Sequence, residues 1–261
     1  MELHHVRRGT GEPLLLIQGM SGTHVSWGDP FLEALEGDFD LVAYDHRGIG
    51  FSPPTGTPFT IAELADDAAA LLDRLGWDSA HVMGISMGGM VAQELALRHP
   101  QRIRTLTLGC TYCGGPGSSL AGPEVLQELG VAQMSGDLDV AIEAGYRLNT
   151  SEAFRADPSH YAAFREMAVA VPAKIATIML QMQAIGGHDT QSRLPQIDLP
   201  TLVIHGTEDR MLPFANGELI ASLIPGARLE LLDGVAHMFW WEQPERSAEL
   251  LRQHALSSAA A

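Results

Sequence analysis

The sequence has few cysteines, few basic residues and no long uninterrupted apolar run. It contains two cysteines, and its 16 lysines and arginines stand against 32 aspartates and glutamates, which gives a formal net charge of −16. Nucleic acids and anionic membranes repel such a surface, so we expect neither as a partner. No stretch reaches transmembrane length without charges or glycines, and residues 1–8 contain no apolar core of signal-peptide length. We therefore expect a cytoplasmic protein.

The two cysteines, Cys110 and Cys113, form a C-x-x-C motif. A metal site would need a second pair of ligands, which the sequence does not offer, and a redox role would need a thioredoxin-like pattern around the motif. We interpret both residues as ordinary thiols near the end of a strand. We expect no metal and no organic cofactor.

The remaining composition is that of a globular protein, and 261 residues suffice for one large α/β domain with or without an insertion. Short apolar runs alternate with segments of helical spacing, which predicts a parallel sheet covered by helices on both faces. The predicted strands are Leu14–Ile17, Asp40–Asp45, Ala80–Ile85, Ile103–Leu108, Leu199–His205 and Arg228–Leu232. The predicted helices include Phe31–Leu35, Ile61–Leu75, Met87–Arg98, Ala215–Ile224 and a last one near Pro244–Ala255.

The alternation stops after Gly109. Residues 114–122 are rich in glycine, serine and proline, and from there to about residue 193 the chain has helical character without a strong strand signal. This pattern predicts a helical insertion at residues 114–194, within a sheet domain made of residues 1–113 and 195–261.

A glycine-rich segment, Gly84-Ile85-Ser86-Met87-Gly88-Gly89, joins a predicted strand to a predicted helix. A sharp turn of this kind holds its serine in a strained backbone conformation, and glycines two residues before and after the serine avoid Cβ clashes. Ser86 is therefore a candidate nucleophile. The N–H of Met87 lies in the first helical turn, where it has no intrahelical partner and can face an oxyanion.

A serine nucleophile needs a base, and the base needs an orienting acid. Asp209 and His237 each follow a later predicted strand, and loops at the carboxyl ends of parallel strands share one edge of a sheet. The resulting chain order, Ser86, Asp209, His237, is one known for catalytic triads. Glu208 is an alternative acid next to Asp209.

These motifs resemble those of the α/β-hydrolase family over nearly the whole chain. The matching segments are Ile17–Met20, Asp45–Ser52, Gly84–Gly89, His205-Gly206-x-x-Asp209 and Gly234-x-x-His237. The resemblance implies the α/β-hydrolase fold, with a mostly parallel sheet of seven or eight strands flanked by helices. It also implies that residues 114–194 form a cap over the pocket.

The same resemblance implies a role for each matching residue. Ser86 would be the nucleophile, His237 the general base and acid, and Asp209 the orienting carboxylate. The backbone N–H groups of Met20 and Met87 would form the oxyanion hole.

The chain departs from the family in two places. Many members have His-Gly where this chain has Gln18-Gly19, and Gln18 changes the polarity beside the oxyanion hole without removing its backbone donor. Little chain precedes the strand Leu14–Ile17, so we expect a shortened N-terminal hairpin.

Other residues are candidates for the pocket or its surroundings. The pocket candidates are Gly19, Trp27, Met179, Met182, Met238 and Phe239. For apolar residues at helical spacing, plain packing remains an equal alternative. His24 lies close to the oxyanion loop, and we interpret Asp45-His46-Arg47-Gly48 as a structural turn in which Arg47 ties loops together.

The resemblance implies a serine hydrolase that cleaves a small, hydrophobic carboxylic ester or lactone through an acyl-enzyme. The segment Tyr44–Arg98 is similar to enol-lactonases and to cofactor-free haloperoxidase or perhydrolase relatives. Alternatives at the same site are C–C bond hydrolysis, hydroxynitrile cleavage and perhydrolysis, and alternatives of another class are a ligand receptor or an inactive scaffold that retains the triad. Haloalkane dehalogenation is disfavoured, because those relatives have Asp in place of Ser86. A homo-oligomer remains open.

Overall fold

A computed structural model describes residues 1–171 and 173–257 of the chain. In these residues seven strands form one sheet: β1 (His5–Arg8), β2 (Glu12–Ile17), β3 (Phe39–Tyr44), β4 (Ala80–Ile85), β5 (Ile103–Gly109), β6 (Thr201–Gly206) and β7 (Arg228–Leu232). The helices are α1 (Asp29–Glu33), α2 (Ile61–Leu75), α3 (Met87–Arg98), α4 (Pro123–Ser135), α5 (Leu138–Asn149), α6 (Glu152–Arg155), α7 (Pro158–Ala170), α8 (Ile175–Gly186), α9 (Ala215–Leu223), α10 (Phe239–Glu242) and α11 (Pro244–Ser257). The strands and helices predicted from the sequence are all present, with ends shifted by at most two residues.

The strands lie in the order β1-β3-β2-β4-β5-β6-β7. β1 pairs with β3 antiparallel, and every other neighbouring pair is parallel, as the alternation of strands and helices predicts. β1 is the strand that the sequence pattern did not place. Its four residues are half-buried at most and form no apolar run, which leaves little signal to read.

The sheet is buried on both faces because successive strand residues enter different cores. In β2, Leu15 and Ile17 pack with residues of α2 and α3, whereas Leu14 and Leu16 pack with residues of α1 and α11. All four side chains are fully buried. A strand buried on both faces reads as a continuous apolar run rather than an alternating one.

The helix α2 begins and ends where its sequence dictates. The Thr60 side chain accepts the N–H of Glu63, and the Glu63 carboxylate accepts the N–H of Thr60, so that the two residues form a capping box. Gly76 ends the helix in the left-handed conformation, with φ of 71°. The N-terminal cap formed by Thr60 contributes about 1 kcal/mol to the stability of the protein.

The helices α4 to α8 lie between β5 and β6, and no strand occurs in this stretch among the residues that the structure describes. The predicted break in the strand–helix alternation is therefore confirmed, while the role of residues 114–194 as a cap stays a prediction. No single helix in the described ranges is long and apolar enough to cross a membrane; α7 and α8 meet that criterion of length and composition only as a pair, bent by 99°.

Candidate active site

Four parallel strands bring the candidate residues to one edge of the sheet. β2, β4, β6 and β7 all run in the same direction, so their carboxyl ends lie together. The segments 18–22, 86–89, 207–214 and 233–238 follow these ends directly. Loops at this edge are where open α/β sheets bind ligands.

Ser86 occupies the strained turn that the sequence predicts between β4 and α3. Its backbone has φ of 52° and ψ of −123°, a region that L-residues rarely adopt and that costs on the order of 1–3 kcal/mol. A Cβ on Gly84 would lie 2.2 Å from the carbonyl oxygen of Gly88, and a Cβ on Gly88 would lie 2.1 Å from that of Ile17. Only glycine fits at these two positions, because both contacts are with backbone.

Hydrogen bonds to the end of β5 hold the strained serine in place. The N–H of Ser86 donates to the carbonyl oxygen of Gly109 at 2.9 Å, and the Thr111 hydroxyl donates to the carbonyl oxygen of Ser86 at 2.7 Å. Both backbone groups of the residue are therefore paired, which compensates for its conformational cost.

Asp209 and His237 come together as predicted. Asp209 Oδ2 lies 2.7 Å from His237 Nδ1, and Asp209 Oδ1 accepts the N–H groups of Met211 and Leu212 at 2.9 Å each. His205 adds a contact of 3.2 Å between its Nε2 and Asp209 Oδ2. The neighbouring Glu208 is exposed, so the structure brings Asp209 and not Glu208 to the histidine, while the catalytic role of Asp209 stays a prediction.

Burial and charge act in opposite directions on this pair. Burial by itself would raise the pKa of Asp209, but the charge of His237 and hydrogen bonds from His205 and His237 lower this pKa to about 2. Burial would lower the pKa of His237, but the charge of Asp209 raises it well above 6.5. The pair therefore favours a carboxylate that stabilises a protonated imidazole.

The thiol of Cys110 is fully buried. Burial raises the pKa of this thiol, while the charge of His237 opposes the rise. Cys110 itself has φ of 39° directly after β5. In the described residues no direct hydrogen bond joins the Ser86 hydroxyl to His237; catalytic hydrogen bonds of this kind often tighten only with substrate.

The turn after β2 abuts the candidate nucleophile. A Cβ on Gly19 would lie 3.1 Å from the Cβ of Ser86 and 3.5 Å from its Oγ. The N–H of Gly22 closes the turn on the carbonyl oxygen of Gly19 at 3.2 Å. Within the described residues, the N–H groups of Met20 and Met87 have no hydrogen-bond acceptor, which leaves both available to an oxyanion.

Two contacts that sequence reasoning missed hold the loop of His237. The N–H of Ala236 donates to Glu242 Oε1 at 3.1 Å, and the N–H of Met238 donates to the carbonyl oxygen of Asn149 at 2.9 Å. Ser151 donates to the same carboxylate through its N–H at 3.0 Å and its hydroxyl at 2.5 Å. The residues on both sides of His237 are thus connected to residues 149–151 of the helical insertion.

The predicted pocket residues fall into different surroundings. Trp27 is fully buried, with ring centroids 5.7 Å from Phe31 and 5.8 Å from Trp240, and Phe239 packs against Gly109. Buried Met238 follows His237, whereas Met179 and Met182 on α8 are half-exposed. Gly19 is the pocket candidate that the structure places directly against Ser86. Contact of the other candidates with a substrate stays a prediction.

His24 belongs to a cluster around the fully buried Asp45. The Nδ1 atoms of His4 and His24 each lie 3.1 Å from Asp45 Oδ2, and the ligand atoms of the three residues lie within 4.8 Å of one another, which would permit a metal ion. The same carboxylate accepts the N–H groups of His24 and Phe51. These hydrogen bonds already account for the cluster as the structural turn that the sequence predicts.

Arg47 joins two segments, as the sequence predicts for this turn. Its Nε donates to Asp67 at 2.6 Å on α2, and its guanidinium lies 5.6 Å from the ring centroid of Phe59. The two cysteines are both buried and unpaired, which agrees with their interpretation as ordinary thiols.

The fold and motifs have clear counterparts among known proteins. The family model described as alpha/beta hydrolase fold matches residues 12–244. RutD from Azorhizobium caulinodans, a protein named for carbamate hydrolysis, is 31% identical over 255 residues, covering 96% of this chain and 93% of its own. The poly(3-hydroxyalkanoate) depolymerase of Ectopseudomonas oleovorans is 30% identical over 247 residues, covering 92% of this chain and 82% of its own.

A solved structure shows the same likeness. The enol-lactonase from Burkholderia xenovorans LB400 superposes with a TM-score of 0.83 at 26% identity, covering 97% of this chain and 96% of the enol-lactonase. This chain therefore belongs to the α/β-hydrolase family. The predictions of the family, of the fold and of a hydrolase that acts on ester-type bonds are confirmed, whereas the triad roles and the substrate stay predictions.

Proposed function

We propose that this chain is a serine hydrolase that cleaves small, hydrophobic carboxylic esters or lactones through Ser86, His237 and Asp209. The observation that carries the proposal is the buried Asp209–His237 pair, 2.7 Å from Oδ2 to Nδ1, at the sheet edge that holds the strained Ser86.

The roles in the reaction follow from which atoms of His237 and of the backbone already have hydrogen-bond partners. Asp209 holds Nδ1 of His237, so Nε2 is the atom that takes the proton from the Ser86 hydroxyl as its oxygen attacks the carbonyl. The free N–H groups of Met20 and Met87 stabilise the oxyanion. The protonated His237 then gives its proton to the leaving alkoxide, and an acyl-enzyme remains.

The second half of the reaction reverses these roles. His237 Nε2 takes a proton from water, the hydroxide attacks the acyl carbonyl, and the Ser86 oxygen leaves and regains the proton. The products are a carboxylic acid and an alcohol, or one hydroxy acid from a lactone. No step requires a metal or an organic cofactor.

The helical insertion at residues 114–194 supplies the cap and the pocket in this proposal. Connections from Asn149 and Ser151 to the loop of His237 support this role. Trp27, Met179, Met182, Met238 and Phe239 are proposed to line the pocket, which would favour an apolar acyl or alcohol group.

A carbamate is a second candidate substrate, favoured by the relative named for carbamate hydrolysis. The enol-lactonase and the poly(3-hydroxyalkanoate) depolymerase support the lactone and the ester. All three substrate classes present a carbonyl to the same nucleophile, so they differ in the leaving group and in the pocket rather than in the machinery.

The test compares wild type with Ser86→Ala on p-nitrophenyl esters, lactones and carbamates, together with labelling by a fluorophosphonate. Ser222→Ala is the matched control, because Ser222 is exposed on α9 and its hydroxyl donates to the carbonyl oxygen of Leu219 on the same helix. We expect Ser86→Ala to lose at least about 10³-fold in kcat and all labelling, and Ser222→Ala to keep both. Equal turnover by wild type and Ser86→Ala would contradict the mechanism, and an unlabelled Ser86 without turnover would favour a ligand receptor.

A further inference from the structure

Two glutamine side chains hold the turn that follows β2. Gln18 Oε1 accepts the N–H of Gly19 at 2.8 Å, and Gln181 Oε1, from α8, accepts the N–H of Ser21 at 2.9 Å. Gln18 is 3% exposed and Gln181 is 0% exposed. Gln18 therefore holds the turn just before Met20, and Gln181 of the helical insertion holds it just after Met20.

The amide nitrogen of each of these side chains is left without a partner. Nε2 of Gln18 and Nε2 of Gln181 are buried and have no hydrogen-bond acceptor in the described part of the chain. The orientation of both carboxamides follows from the backbone, because a backbone N–H can be accepted only by the oxygen end. The unpartnered ends are thus NH₂ donors, which native proteins rarely bury without an acceptor.

A third buried glutamine, Gln93 on α3, is fully paired in the same fold. It is 0% exposed, its Nε2 donates to the carbonyl oxygen of Tyr112 at 3.1 Å, and its Oε1 accepts the Thr190 hydroxyl at 2.6 Å. Both ends of the Gln93 amide are therefore used in hydrogen bonds within the protein. Gln18 and Gln181 differ from it in their donor ends, and both lie at the turn that abuts Ser86.

The geometry points to a polar subsite, formed by the amide groups of Gln18 and Gln181, that binds a second oxygen atom of the substrate beside the carbonyl attacked by Ser86. This inference rests on the serine hydrolase proposed above. Both carboxamides are fixed at N–H groups that flank Met20, whose own N–H is the proposed oxyanion donor. On this proposal the second oxygen belongs to the same acyl group as the reacting carbonyl.

The chemistry of the donors selects the class of substrate. Both are neutral amides, and no charged side chain is a hydrogen-bond partner of either glutamine in the described residues. A neutral carbonyl oxygen suits such donors, whereas a carboxylate would be buried without a counter-charge. We expect esters of 3-oxo acids to be favoured over plain alkanoate esters of the same length.

Preference arises because an analogue without the second oxygen leaves both donors unpaired. Sites built around buried donors reject such analogues more strongly than apolar pockets reject a missing methylene. We expect wild type to favour the 3-oxo ester by roughly ten- to hundredfold in kcat/KM, after correction for the alkaline hydrolysis rate of each ester.

The experiment measures kcat/KM for methyl 3-oxobutanoate and methyl butanoate in wild type, Gln18→Met, Gln181→Met and Gln93→Met. Methionine has a similar length and no donor. We expect both Gln18→Met and Gln181→Met to lower the preference at least fivefold. Gln93→Met, the control, is expected to keep the preference of wild type even where it lowers Tm.

An equal loss of activity on both esters in Gln18→Met and Gln181→Met would overturn the subsite, since it would show that the amides only hold the turn. Circular dichroism identifies a variant that does not fold. In that case the ester preference of the other glutamine variant tests the subsite. Failure of wild type to hydrolyse either ester would count against the proposed function instead. The subsite is then tested by measuring the rise in Tm of Ser86→Ala with each ester. A larger rise with the 3-oxo ester, which disappears when Gln181→Met is added, supports the subsite. An equal rise with both esters overturns it.

Discussion

Asp209 holds His237 with one oxygen and its own loop with the other. Oδ2 lies 2.7 Å from Nδ1 of the imidazole, while Oδ1 accepts two backbone N–H groups, those of Met211 and Leu212. The carboxylate cannot rotate without breaking these bonds, so the ring of the histidine has one preferred orientation. Nδ1 carries the proton in this arrangement, which leaves Nε2 as the base.

Replacing Asp209 with Asn is expected to reduce kcat by about 10⁴-fold, because an amide at this position permits the wrong tautomer of His237. Steady-state kinetics on a p-nitrophenyl ester measures the loss. Glu208→Gln is the control, since Glu208 is the exposed neighbour that could have served as the acid. A larger loss in Glu208→Gln than in Asp209→Asn would transfer the role to Glu208.

The pH dependence of kcat/KM is expected to show an acid limb with its midpoint above 6.5. The charge of Asp209 raises the pKa of His237 well above this value, and only the neutral imidazole can act as a base. Activity therefore falls as the pH is lowered through the raised pKa. Removing the charge with Asp209→Asn is expected to move the residual limb to lower pH, and an unchanged midpoint would contradict this electrostatic origin.

Local signals made much of the fold predictable. The strands β4 and β7 and the helix α3 have the predicted bounds. The apolar run of β4 ends at the glycine-rich turn that begins α3, and the run of β7 ends at Asp233-Gly234. The elbow of Ser86 was predictable for the same reason, since its glycines are required by backbone contacts within a few residues or to the adjacent strand.

Contacts between distant segments left no such signal. Gln181 reaches Ser21 across 160 residues, and Glu242 reaches Ser151 across 91 residues. Neither pairing follows from spacing or from a motif, because a buried glutamine or glutamate has the same sequence appearance whichever partner it finds. The helical insertion is therefore predictable as helices, while its connections to the site require the structure.

Glu242→Gln is expected to lower kcat about tenfold and Tm by several degrees. The carboxylate accepts hydrogen bonds from Ala236 and Ser151, and a neutral amide in its place accepts the two N–H groups more weakly and forces the Ser151 hydroxyl to accept instead of donate, at a cost of about 1 kcal/mol. The connection of the His237 loop to the helical insertion is then weaker. Kinetics and thermal denaturation measure the two effects.

Glu245→Gln is the matched control for that change. Glu245 is exposed in the first turn of α11, where its charge contributes less than about 1 kcal/mol. Unchanged kcat in Glu242→Gln with a lowered Tm would show that the carboxylate stabilises the fold without positioning His237.

Gly84→Ala is expected to destabilise the protein by about 3 kcal/mol and to reduce kcat at least a hundredfold in the molecules that fold. The added Cβ would lie 2.2 Å from the carbonyl oxygen of Gly88 and 2.8 Å from the Cβ of Ala92, so the first turn of α3 must move away from β4. Ser86 lies between these elements, and a displacement of about 1 Å costs roughly 10²-fold in rate. Gly130→Ala provides the contrast. Gly130 lies on α4, and beyond its neighbours and its own helix backbone no atom of the described residues lies within 4 Å of an added Cβ. Alanine there is expected to stabilise the helix by about 0.5–1 kcal/mol with unchanged kcat. Urea denaturation and kinetics on both variants test the pair, and a Gly84→Ala protein with wild-type kcat would show that the elbow tolerates a wider approach of α3 to β4 than its contacts indicate.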